Sequence, residues 1–190
     1  LDTYVHLSAD AGVTVVDGEV RQWLDQSANA FQFQADHPRA NGLSNPMLVD
    51  VDGTHSVRFD GDDIIDSDLE LQLFTTSSSP LAVFVVLNPT VTGRQQFVVN
   101  HAPAGGGQSV EIGVDSGQVQ TPGAWGIHRG SSDASSTGPH VMTAGQFQLM
   151  TTEILSTGDD GDNVVFHANG ELQPTVTGGW TAAGGYQTAA

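Results

Sequence analysis

Cysteine is absent from this chain, and so is lysine. Without a thiol there is no disulfide to brace the fold, no cysteine nucleophile and no thiolate to hold a metal. Without lysine the basic inventory is five arginines, set against 17 Asp and five Glu, for a formal net charge of −17 at pH 7. A surface of that sign repels phosphate backbones and has no basic stripe to overcome the repulsion, which argues against nucleic-acid binding. Anionic membrane surfaces are disfavoured for the same reason. Long apolar runs are missing too. The longest, Leu81-Ala82-Val83-Phe84-Val85-Val86-Leu87, has seven residues, strand length rather than the ~18 or more of a spanning helix, so no membrane insertion is expected.

What is present points to turns and short strands. Glycine reaches 23 of 190 residues and the hydrophobic share is 38%, a balance that suits an all-β protein with many loops. Aspartate outnumbers glutamate, which favours turns over helix, because Asp caps and turns more readily than it propagates a helix. The acidity itself has three readings: solubility in a salty habitat, calcium binding by Asp-rich loops, or plain surface solvation. A length of 190 residues fits one domain with a real core. The first residue is Leu1, which suggests a processed or trimmed N-terminus, from a removed signal peptide or an excised domain.

Along the chain, Val13 to Val16 is β-branched, and Asp17-Gly18 before Val20 reads as a hairpin turn. Met47 to Val51 and His55 to Phe59 are strands about a second turn, Asp52-Gly53. Leu81 to Leu87 looks like a central strand buried on both faces. Phe147 to Ile154 alternates, with Phe147, Leu149 and Thr151 set against Gln148, Met150 and Thr152. The clearest hairpin joins Val164–Ala168 to Glu171–Gln173 through Asn169-Gly170, the strongest short-range signal of its kind. About a dozen strand candidates and no convincing amphipathic helix argue for two packed antiparallel sheets.

Two segments carry a resemblance to a known family: Val20-Arg21-Gln22-Trp23-Leu24-Asp25-Gln26-Ser27 and Val57-Arg58-Phe59-Asp60-Gly61-Asp62-Asp63. Together with the Asn169-Gly170 hairpin, they resemble the laminin-G-like branch of the concanavalin A-like lectin/glucanase superfamily. The likeness covers roughly residues 1–175 and is densest over 13–65. It implies a two-sheet antiparallel jelly-roll sandwich with Trp23 and Phe59 turned into the apolar layer. Ser27-Ala28-Asn29-Ala30 departs from the family's usual turn after the Trp strand. The closing strand pair usual in such domains does not appear before Ala190, which implies either a cut or partial protein or a closing strand supplied by a neighbouring chain at an open sheet edge.

For chemistry, a glycosidase needs two facing carboxyl groups. The nearest pattern is Asp66, Asp68 and Glu70 at period two, and a solvated strand edge explains it better. Calcium favours several oxygen ligands; Asp159, Asp160, Asp162 and Asn163 form one acidic knot, and Asp60 to Asp63 reads as a turn whose acids accept backbone amides. None of the seven histidines has zinc-site spacing, and no G-x-S-x-G elbow marks a hydrolase. Sugar recognition needs a flat ring and planar polar groups. Trp125, beside His128 and Arg129, is one candidate; Trp180 and Tyr186 in the Gly-rich tail are others, equally suited to touching another subunit.

These readings converge on a single sandwich domain over residues 1–190, extracellular or at the cell surface, and not an enzyme. The first functional expectation is a carbohydrate-binding or adhesion module, calcium-assisted at the acidic knot. The alternative is a structural subunit that self-assembles through an open sheet edge into a surface layer, filament or matrix. A glycoside hydrolase ranks third.

Overall fold

The computed structural model describes residues 3–35, 44–61, 63–67, 81–90, 96–101, 110–114, 123–129, 132–136, 142–154 and 164–178. Every regular element among them is a β-strand, and every strand pair is antiparallel. No helix among the described residues is long and apolar enough to cross a membrane. The chain divides into two compact units, Leu1–Leu71 and Gln72–Ala190.

The first unit holds β1 (Val13–Val16), β2 (Glu19–Leu24), β3 (Gln32–Gln34), β4 (Met47–Val51) and β5 (Thr54–Arg58). The sheet runs β1-β2-β4-β5, with β3 also on β2. One edge of β2 takes β1, while the other is shared between β3, along Gln22 to Leu24, and β4, at Glu19. Few side chains are fully enclosed here: Val20, Ala35, Pro46 and the carboxylate Asp25. Trp23 is half-buried, and its indole N–H donates to the Ser8 carbonyl at 2.9 Å. Phe59 lies just beyond β5 and is 49% exposed. The expected inward Phe59 is therefore corrected: β5 ends at Arg58, and the ring beyond it stands half in solvent.

The second unit has two sheets. One runs β14-β10-β9-β8-β7, built from β7 (Gln96–His101), β8 (Val110–Val114), β9 (Trp125–Arg129), β10 (Ser132–Ser136) and β14 (Thr175–Gly178). The other runs β13-β12-β11-β6, from β6 (Leu81–Leu87), β11 (Gln148–Ile154), β12 (Val164–Ala168) and β13 (Glu171–Gln173). Alternation fills the space between them. Ile112 and Val114 of β8 and Trp125 and Ile127 of β9 meet Met150 and Ile154 of β11 and Val164, Phe166 and Ala168 of β12 in one cluster. Val83, Val85 and Leu87 of β6 pack on its margin. A hydrogen bond joins the layers, from Trp125 Nε1 to Thr152 Oγ1 at 2.7 Å. Only Pro174 separates β13 from β14, yet the two strands belong to different sheets. The chain turns a corner there, at a residue with no N–H to give to either ladder.

The three predicted two-residue turns are all present. Asp17-Gly18, Asp52-Gly53 and Asn169-Gly170 have φ of 54° and 87°, 54° and 81°, and 51° and 83°. Positive φ at both central residues gives the turn twist that matches the flanking strands, and Gly at the second position accepts it without a Cβ clash.

Candidate functional site

Alternation that sends one set of β6, β11 and β12 side chains inward sends the other set out, and that outer set is largely apolar. The strand register builds it row by row. Phe84 of β6 lies opposite Thr151 of β11, Thr151 opposite His167 of β12, and His167 opposite Leu172 of β13. In the next row Val86 faces Leu149. Phe84, Val86 and Leu172 are 68%, 67% and 68% exposed, and Phe147 and Leu149 are exposed as well. Scattered apolar residues on a surface are ordinary; on this face Phe84, Val86 and Leu149 lie on neighbouring strands, with Thr151 and His167 between Phe84 and Leu172. Its polar groups are few. Glu153 Oε1 sits 3.4 Å from His167 Nδ1, so the acid on this face stands beside a base. Asn169 ties the corner, its Oδ1 accepting from the Leu149 N–H at 2.9 Å while its own N–H donates to the Leu149 carbonyl at 2.7 Å.

Strand β6 bounds this face. Among the described residues it pairs with β11 alone, over seven consecutive residues without a bulge. The expectation of a central strand buried on both faces is corrected. Among the described residues β6 is an edge strand, with one face in the core and the other in solvent. An all-apolar sequence carries no alternation to show which side is inward.

The buried carboxylate of the first unit has a structural task. Asp25 is 2% exposed. Its Oδ1 accepts the N–H groups of His6 at 2.6 Å and Ser27 at 2.9 Å, and its Oδ2 accepts the Ser27 hydroxyl at 2.5 Å and the Phe31 N–H at 3.3 Å. Burial alone would raise this carboxyl's pKa. The Ser27 hydroxyl and the backbone N–H groups of His6, Ser27 and Phe31 outweigh burial and hold it below the ordinary aspartate value. The Asp-x-Ser ending of the first family-like segment is thus a clamp that gathers the N-terminal segment and the turn after β2.

Of the residues expected to bind sugar, the side chain of Trp125 alone is described. Trp125 is wholly buried between the sheets, with its indole N–H spent on Thr152. That position corrects its expected use as a stacking platform, because neither ring face is open to a ligand. His128 and Arg129 lie on β9, and their side chains lie outside what is described. Trp180, Tyr186, Asp159, Asp160, Asp162 and Asn163 also lie outside the described residues. Among the described residues no three His, Asp or Glu gather as a metal-holding group. Of the period-two acids only Asp66 is described. Its backbone bridges Gln34, and its carboxylate accepts the Ser67 N–H at 2.8 Å. Asp63 behaves as a turn acid, accepting the Asp60 N–H at 2.7 Å. His55 pairs with Asp10 at 3.0 Å.

Compared with known proteins, the chain matches no family model, no curated protein and no solved structure.

Proposed function

We propose that residues 1–190 form a non-catalytic adhesion module, at the cell surface or outside the cell, that engages its partner through the outer face of the β13-β12-β11-β6 sheet. The carrying observation is that face: Phe84 and Val86 on β6 and Leu172 on β13, at the two sides of one four-stranded sheet, stand about two-thirds in solvent in a chain that is otherwise heavily acidic. Apolar side chains lose their cost in water only when covered, and an interface with an apolar centre covers them. The jelly-roll arrangement of the laminin-G-like kind belongs to the same proposal. Its supports are the all-antiparallel strands, the core shared between two sheets and the Asp25 clamp.

The carbohydrate form of this reading has weaker support. Its stacking rings are Trp180 and Tyr186, since Trp125 is enclosed. Calcium at Asp159, Asp160, Asp162 and Asn163 rests on the oxygen chemistry of those side chains alone. One paired experiment separates the two forms. Beads coated with the chain should cluster at physiological salt and disperse when Phe84→Ser and Leu172→Ser are combined. In parallel, a glycan array should be probed with calcium and with chelator. Clustering that ignores the double variant removes the face from the mechanism, and an array signal lost on chelation moves recognition to the acidic knot.

A further inference from the structure

We infer that the edge of β6 that pairs with no described strand is the seam of a two-fold dimer, in which β6 pairs antiparallel with β6 of a second copy of this chain. The inference rests on the adhesion reading and adds a second copy at the rim of that face, leaving the face itself open. Unpaired N–H and C=O groups along an exposed strand are a template for another strand. Proteins normally blunt such edges with charge, proline or a bulge. Leu81–Leu87 has no charged residue and no proline, and its ladder with β11 runs unbroken.

The other described edges are blunted or short. β1 has four residues and a bulge between Thr14 and Val15. β5 ends in Arg58 and carries His55. β7 has an irregular register between Phe97 and Val99. β13 has three residues and begins with Glu171, and β14 has four. β6 alone is long, regular and uncharged.

The occupant follows from charge and register. Two molecules of formal charge −17 repel wherever their acidic surfaces meet. A strand without charge is where they can approach with no carboxylate set against another. A two-fold axis through Phe84, perpendicular to the sheet, pairs all seven residues of β6. Leu81 then meets Leu87, Ala82 meets Val86, Val83 meets Val85 and Phe84 meets its own copy. Every pair is apolar. The arrangement also keeps like faces together. Ala82, Phe84 and Val86 of both copies lie on the outer surface, while Val83 and Val85 stay over the two cores. The interface is isologous and closes after two copies, giving one sheet of eight strands with a continuous apolar outer face.

Absence of native cysteine makes the register directly testable. Ala82→Cys and Val86→Cys each alter an exposed, outward position, so the core is untouched, and circular dichroism confirms the fold. Under mild oxidation a mixture of the two variants should form a crosslinked dimer. Neither variant alone should, because like positions would be about 13 Å apart, four residues at about 3.3 Å each. Sedimentation of the unaltered chain should show a dimer fraction that grows from 0.02 to about 0.5 M salt, as screening removes the repulsion. A monomer at every salt concentration overturns the seam. So does crosslinking that is equal in the mixture and in the single variants. If Phe84→Ser with Leu172→Ser abolishes bead clustering but the mixture does not crosslink, the seam fails and adhesion through the face stands. If beads never cluster and no dimer forms, both fail.

Discussion

Asp25 illustrates how a single buried charge can organise a poorly enclosed unit. Its four hydrogen bonds come from His6, Ser27 and Phe31, on both sides of β2 in sequence. Replacing it with Ala leaves those donors facing each other without an acceptor, a loss on the order of 3 kcal/mol. The sign of its pH dependence follows from the depressed carboxyl. Where the native pKa is below the unfolded one, the stabilisation is complete above the unfolded value. It is lost as pH falls through the native value. Acid titration of the first unit should therefore show stability declining below pH ~4, with Asp25→Asn both less stable at pH 7 and flatter across that window. Hydrogen exchange of the His6 and Phe31 amides reads it directly. An Asn variant with the wild-type acid profile would assign the dependence to other carboxylates. In the sequence Asp25 stands only at the end of the β2 run; its burial follows from the enclosing backbone of residues 6 to 31.

At the level of strands and turns, the hairpin at Asn169-Gly170 makes the sharpest case. Asn169 supports a left-handed backbone, with φ of 51°, and joins the turn to β11 through two bonds to Leu149. Asn169→Ala gives up the side-chain bond and places a less tolerant residue at positive φ, at a cost of about 1–2 kcal/mol. A urea midpoint that falls with an unchanged slope is the expected result. If the midpoint does not move, the turn is not held by that side chain. All three Asx-Gly turns were legible in the residues because turn geometry is decided within four positions of chain. β11 shows the complementary case. Its alternation was plain, yet Gln148, Met150, Thr152 and Ile154 face inward while Phe147 and Leu149 face out. Gln148 is tolerated inside because its amide donates to the Thr143 carbonyl at 3.1 Å. Hydrophobicity alone would have chosen no side.

For the molecule as a whole, charge dominates the response to solution conditions. With 22 acidic side chains against five arginines, self-repulsion opposes compaction in dilute buffer. Raising salt at pH 7 should lift the melting temperature by roughly 3–6 °C, the equivalent of one or two kcal/mol. A flat or falling melting temperature would mean that the carboxylates stand too far apart to repel. Self-association should follow the same trend, opposite to that of an interface held by ion pairs.

Local chemistry was readable from the order of residues. Period-two alternation, β-branched runs and Asx-Gly turns depend on near neighbours, and they announced antiparallel strands without help from the fold. Position in the sheet could not be read that way. A run of seven apolar residues looks alike at the centre of a sheet and at its rim, and a tryptophan among glycines looks alike as sugar platform and as core. Distant partners settle both. Strand β11 covers one edge of β6 and no described strand covers the other, and Thr152, 27 residues beyond Trp125, receives the indole N–H between two sheets. Burial is a property of the assembled layers, so only their packing distinguishes an exposed face from an interior one.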